Sequence, residues 1–267
     1  MTHARQRTAP DPLVSRHVDA TAPDAVDMVS EHIRVTGLVT VDGLVSRQAV
    51  LDFAARCLDL VPHRDSEPDG LTVVRDTGHR AHQPGFAGLG NGALSAHTER
   101  SGVPAPPRLM LFVCEKPAEE GGLIHLTDGQ AIHADLVQRH PDAVAAFSEP
   151  SAAFFGGGDG IFAPVFARSA GDRLTLRVRQ DDLVQWHPLS QPHVAHLRAA
   201  IDRHQQSVAL GAGQGYLLDN HRWLHGRDGF RGQRVCYRAL GMPRFPLPVG
   251  FPPGDVVTAR AASLDSR

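Results

Sequence analysis

Lysine is almost missing from this chain. Of its 267 residues only Lys116 is one, so nearly all positive charge is arginine, whose planar guanidinium grips carboxylates better than an ammonium can. No basic block exists either. The 27 basic residues face 29 acidic ones, for a formal net charge of -2, which gives no electrostatic footprint for nucleic acid. Cysteine is scarce: Cys57, Cys114 and Cys236 are widely spaced, supply no CxxC pair for zinc and suggest no disulfide framework. No apolar run approaches the ~18–20 residues of a membrane span, and the first twenty residues lack a signal-peptide core. A GxSxG nucleophile elbow is absent, and no cysteine has the local signature of a nucleophile. These absences point to a soluble, cytoplasmic protein that engages neither nucleic acid nor membrane.

What is present suits one large domain, since 42% of residues are hydrophobic. Residues 1–30 are polar and read as a loosely ordered N-terminal arm, with a short helix around "DAVDMVSEHI". Residues 31–245 form the expected domain, and the proline-rich 246–267 a tail. "SRQAVLDFAARCLDLV" has helical spacing at Val50, Phe53, Ala54 and Cys57 behind a Ser N-cap. From residue 93 onward the pattern is mostly short strands between Gly, Pro and Asp turns: "RLMLFVCE", "GLIHLTDG", "FAPVFARS", "RLTLRVR", "GYLLDN" and "RVCYRALG". One helix, "PHVAHLRAAIDRHQQSVAL", interrupts them. Many short strands and few helices favour an antiparallel sandwich or barrel, mainly β with flanking helices.

Two glycine-rich stretches invite a nucleotide reading. "GAGQG" at 211–215 follows a helix and precedes a strand, the reverse of the order a phosphate loop needs. "GGGDG" at 156–160 reads as a flexible connection able to act as a lid.

The chemistry lies elsewhere. "AHTE" places His97 and Glu99 two apart at the head of an apolar run, on one face if the segment is a strand. An imidazole and a carboxylate there could grip one ion, with a third donor from a distant segment. Two histidines and one carboxylate leave three metal positions open, the arrangement of non-haem Fe(II) oxygenases. With 16 histidines in the chain an HxE pair also arises by chance, and a solvated strand end is the plain alternative. The segment "GQGYLLDNHRWLHGRDGFRGQRVCYRALG" (213–241) then offers His221 and His225, followed by Arg234 and Arg238. Four apart on a strand, those arginines face one side. A buried guanidinium needs a carboxylate, so a dicarboxylic acid chelating a metal at one end could meet an arginine at the other. A rim salt bridge is the alternative.

"AHTE", "GG" then "DG" around the next strand, and "DNHRWLHGRDGF…RVCYR" resemble, in that order, the taurine dioxygenase and clavaminate synthase group. The resemblance covers residues 33–245. It implies a double-stranded β-helix (a jelly-roll, cupin-like core) and an oxygenase that uses Fe(II), 2-oxoglutarate and O2. HxE in place of HxD looks most like the clavaminate synthase branch, rich in hydroxylases of free or carrier-protein-bound amino acids in antibiotic pathways. Carried over, His97, Glu99 and His225 match the iron ligands, His225 rather than His221 because it occupies the "LHGR" position. Arg234 matches the arginine that meets the distal carboxylate of 2-oxoglutarate. Arg238 matches a position contacting cosubstrate or an anionic group of the substrate. Where relatives often have a threonine that bonds 2-oxoglutarate, this chain has Ile124, and Thr127 should point to the other face.

A carboxylate ligand also favours hydroxylation over halogenation, because halogenases of this fold lack it; desaturation and ring closure remain open. Asp181 and Asp182 are offered to a cationic group of the substrate, against a solvated turn as alternative. His125, His133 and His187 read as ordinary core or surface histidines, and Trp223 and Phe230 as packing. Two other classes stay open: a barrel binding protein without turnover, and a zinc hydrolase using the same His, Glu, His set.

Overall fold

A computed structural model describes residues 16–78, 83 and 85–253. Its frame is a seven-stranded major sheet facing a four-stranded minor sheet. The major sheet runs His17–Asp19, Leu38–Asp42, Gly215–Asp219, Leu109–Lys116, Val235–Pro243, Leu58–Leu60, with Thr72–Arg75 also paired to the long strand 235–243. The minor sheet runs Gln205–Val208, Ile124–Asp128, Trp223–Arg227, Leu94–His97. Two facing sheets joined in this crossed order, antiparallel except where His17–Asp19 pairs with Leu38–Asp42, make the double-stranded β-helix.

Strand Leu109–Lys116 shows why the sequence chooses this arrangement. Six consecutive residues are buried, because both faces are covered. Leu109, Leu111 and Val113 pack with helices Ala25–Thr36 and Arg47–Cys57 on the outer side. Met110, Phe112 and Cys114 point inward, against Ile124, Leu126 and Trp223 of the minor sheet. A third cluster lies behind the minor sheet, where Ala96 and Leu224 meet helices Gly129–Arg139, Pro141–Phe147 and Val194–His204.

Several expectations need adjustment. Residues 17–30, assigned from sequence to a loose arm with a short helix, hold a strand paired in parallel with Leu38–Asp42 and the first turns of the expected helix, which is packed rather than loose. Ala25, Val29 and Ile33 recur at helical spacing and are buried, so composition misled where periodicity did not. Residues 1–15 and 254–267 lie outside the described residues. The interrupting helix ends at His204, and Gln205–Val208 pairs as a strand with Ile124–Asp128. The helices 129–139 and 141–147 were not anticipated; the first is capped by Asp128, whose side chain accepts from Gln130 N–H. No helix among the described residues is long and apolar enough to cross a membrane.

Candidate metal centre

His225 sits in the middle of Trp223–Arg227, a strand buried at every residue and laddered on both sides. Across the ladder its direct partner is His97, the last residue of the edge strand Leu94–His97. Their ring centroids are 4.3 Å apart with the planes tilted by 47°. The pairing requires Gly226 next door: a Cβ there would lie 2.6 Å from the Leu94 carbonyl oxygen. The register shifts between His225 and Arg227, just past this pair.

Glu99 does not share a strand face with His97, as its spacing suggested. The strand has ended, and the chain turns at Arg100 with φ of 53°. Side-chain bonds hold that turn. Thr98 exchanges hydrogen bonds with Val178, its N–H donating at 2.9 Å to the carbonyl and its Oγ1 accepting at 3.1 Å from the amide. Asn220 grips Glu99 on both sides: its Oδ1 accepts from Glu99 N–H at 2.6 Å, and its Nδ2 donates to Glu99 O at 3.0 Å and Pro107 O at 2.9 Å. Next to it the buried ion pair Arg108–Asp219 is bidentate, at 2.7 and 2.8 Å. Asp219 Oδ1 also accepts from His221 N–H at 2.9 Å. The "DN" of "DNHRWLH" is thus the clamp for a residue 121 positions upstream, which sequence inspection missed. No local signal could reveal it, since the partner atoms are backbone.

His97, Glu99 and His225 are brought together, each offering one ligand atom within 4.8 Å of the others. His97 Nδ1 is engaged with Ser95 O at 2.9 Å, leaving Nε2 for the centre. His225 Nε2 faces Glu99 Oε2 at 3.8 Å. Burial pushes both imidazoles below the usual histidine range, His225 furthest, with the facing ring and Arg238 adding to it. Neutral rings keep a lone pair to donate. Burial alone would raise Glu99, but the Arg238 guanidinium is the largest influence bringing it down, to about 2. Two neutral imidazoles and one carboxylate, all poorly hydrated, fit a divalent cation better than they fit one another.

The three side chains line a cavity of about 750 Å³ together with Phe112, Ile124, Tyr216 and Arg238. Arg238 donates to Glu99 Oε2 at 2.8 Å. Arg234, four residues earlier and just outside strand Val235–Pro243, does not line the same cavity as the spacing suggested, because the register shifts between Val235 and Cys236; its guanidinium lies 5.5 Å from the Phe112 ring centroid and 5.7 Å from that of Phe230. It is buried, and no carboxylate of the described residues pairs with it. Asp181 reaches the cavity wall, where Arg179 holds it, one bond being 2.8 Å. Asp182 is exposed and outside the wall, because the turn sends adjacent side chains apart. His221 lies outside the centre, with neither ring nitrogen hydrogen-bonded. Ile124 lines the cavity, and Thr127 is buried behind the sheet with Oγ1 unpartnered, on the face opposite Ile124. The 156–160 loop forms part of the cavity rim, through Gly156, Gly157, Asp159 and Gly160.

A double-stranded β-helix with a His, Glu, His cluster at its mouth is the architecture of the cupin-like oxygenases. The chain belongs to the taurine catabolism dioxygenase TauD, TfdA family, whose pattern matches residues 8–240. Among characterised proteins it is 32% identical over 152 residues to a glutarate 2-hydroxylase of Pseudomonas putida (strain GB-1); that stretch is 53% of this chain and 45% of the relative. Among solved structures it is similar to asparagine oxygenase in complex with Fe(II), 2S,3S-3-hydroxyasparagine and succinate, at TM-score 0.67 and 16% identity, over 85% of this chain and 93% of the other. The non-haem iron oxygenase OrfP with Fe and α-ketoglutaric acid matches at TM-score 0.65 and 16% identity, over 83% of this chain and 80% of the other.

Proposed function

We propose that this protein is an Fe(II)- and 2-oxoglutarate-dependent oxygenase that hydroxylates an unactivated C–H bond of a small carboxylate, an amino acid or its derivative, free or carrier-bound, in the cytoplasm. The observation that carries the reading is the convergence of His97, Glu99 and His225 on one cavity wall. These three would hold the iron, which when bound couples the oxidative decarboxylation of 2-oxoglutarate by O2 to oxidation of the substrate.

The chain's own residues would bind, aim and shield. Arg234, buried with no carboxylate partner among the described residues and set against the Phe112 ring that lines the cavity, would meet the distal carboxylate of 2-oxoglutarate. Arg238, at the cavity wall beside Glu99, suits an anionic group of the substrate. Leu126 and Ile124 pack the floor behind His225. The glutarate-hydroxylating relative and the asparagine oxygenase both support a short carboxylate as substrate. The test is succinate release from 2-oxoglutarate by iron-loaded protein across the free amino acids and C4–C6 dicarboxylates. Release stimulated by one of them supports the reading; no 2-oxoglutarate consumption under any condition contradicts it.

A further inference from the structure

Two of the three cysteines, both free and buried, have no part in the centre described above. Cys114 and Cys236 are direct cross-strand partners in the major sheet. Cys114 directs its own amide groups to the neighbour on its other side: its N–H donates to Gln214 O and its carbonyl accepts from Gly213 N–H, both at 2.8 Å. It therefore faces Cys236 as a non-hydrogen-bonded pair, in which Cα atoms approach to about 4.5 Å and side chains stand closest. Disulfides span Cα separations of roughly 4.4–6.8 Å, so this pair can close without rebuilding the sheet.

Both side chains belong to the inner cluster with Val74, Phe112, Ile124 and Tyr216, four residues that also line the cavity. The two thiols are hydrogen-bonded to each other. That bond, with Arg234 adding to it, holds Cys114 below the usual thiol range although burial opposes it, and the same bond pushes Cys236 well above. One sulfur is thus the nucleophile and the other keeps its proton. Cys57 is the natural comparison. It is buried in the separate outer cluster, and burial pushes its thiol up to about 11.

We propose that Cys114 and Cys236 form a peroxide-sensitive dithiol, a modification site that closes to a disulfide in two steps. The Cys114 thiolate attacks hydrogen peroxide and breaks its O–O bond. One oxygen stays on sulfur as a sulfenic acid; the other leaves as hydroxide and becomes water with the proton that Cys114 gave up. The Cys236 sulfur then attacks the sulfenic sulfur, forms the S–S bond and releases a second water that carries its thiol proton. Both cysteines are oxidised, peroxide is reduced, and a small dithiol reverses the change. Burial selects the oxidant by size, admitting peroxide and excluding a bulky disulfide such as oxidised glutathione. Cys236 lies two positions from Arg234, at the register shift between Val235 and Cys236, so the bridge pulls on the segment that sets Arg234. The consequence for 2-oxoglutarate rests on the oxygenase reading; the chemistry of the pair does not.

The test treats the full chain, kept free of metal so that iron does not split the peroxide, with equimolar hydrogen peroxide. Alkylation under denaturing conditions and peptide mass mapping follow. The expected result is a peptide pair joined through Cys114 and Cys236, lighter by two hydrogens, with Cys57 still alkylated and all thiols restored by dithiothreitol. That readout needs no variant to fold. In Cys236→Ser the reaction should halt at a Cys114 sulfenic acid that dimedone labels, and oxidised glutathione should leave the wild-type thiols free. Absence of the joined pair in wild type, oxidation of Cys57 as fast as the pair, or bridging by oxidised glutathione as readily as by peroxide overturns the proposal. Iron-loaded protein carrying the bridge should need about tenfold more 2-oxoglutarate for half-saturation than the reduced form, reversed by dithiothreitol. An unchanged requirement after full bridging overturns the link to Arg234. If reduced protein consumes no 2-oxoglutarate, it is the oxygenase reading that fails, and the mass map still decides the pair.

Discussion

The two halves of the candidate metal centre are held by different means. His225 is fixed by backbone: its strand has a hydrogen-bonded neighbour on either side, and every residue in it is buried. Glu99 is fixed by side chains, past the end of an edge strand, through Asn220 and the Thr98–Val178 exchange. His97 stands between, on the ladder but at its last rung. The difference teaches where such a site is vulnerable. A laddered ligand tolerates change in its neighbours' side chains, whereas a ligand on a turn depends on each polar residue that grips it.

That contrast can be broken most severely at the carboxylate itself. Glu99→Ala should weaken Fe(II) binding by more than the ~100-fold that loss of a supporting residue costs, and abolish coupled hydroxylation. It also strips Arg238 of its partner, so metal content by elemental analysis is the cleaner readout. Next comes the clamp. Asn220→Ala removes the bonds to Glu99 N–H and O and to Pro107 O, and should lower metal affinity about 10–100-fold. A comparable substitution beside the laddered ligand, Leu224→Val, should leave metal affinity within about twofold while costing about 1 kcal/mol of stability, seen in denaturant titration. Equal losses of iron in the two variants would erase the distinction.

Arg234→Ala should raise the half-saturating 2-oxoglutarate concentration about tenfold or more, with Fe(II) binding unchanged. The smallest effect is expected at Asp182. Because it is exposed and outside the cavity wall, Asp182→Asn should change stability by less than about 0.5 kcal/mol and leave every kinetic constant in place.

The same contrast explains what the sequence made legible. His225 could be read from its place in the "LHGR" of the resemblance, whereas a strand's period of two misled for the arginines, because the register shifts between Val235 and Cys236 and only Arg238 reaches the cavity wall. His97 and Glu99 were legible by their spacing, but through a geometry that does not apply, since Arg100 at φ of 53° takes the chain off the strand. Asn220 was not legible, because it acts on a group brought near only by tertiary structure, a backbone 121 residues away. Asp181 and Asp182 looked equivalent in sequence, and only the turn separates them. The double-stranded β-helix followed from the strand pattern and the resemblance together. The helices 129–139 and 141–147 escaped notice because their buried positions (Ile132, Leu136, Ala143, Phe147) are spread thinly among polar residues.

The central claim is that three side chains from segments more than a hundred positions apart close around one ferrous ion that works only with 2-oxoglutarate. Anaerobic reconstitution followed by oxygen-uptake measurement addresses it directly, with and without the 2-oxo acid and with metal counted per chain. One iron per chain, and O2 consumption that stops when 2-oxoglutarate is withheld, is the predicted result. Tightly held zinc, or uptake indifferent to the 2-oxo acid, would contradict it.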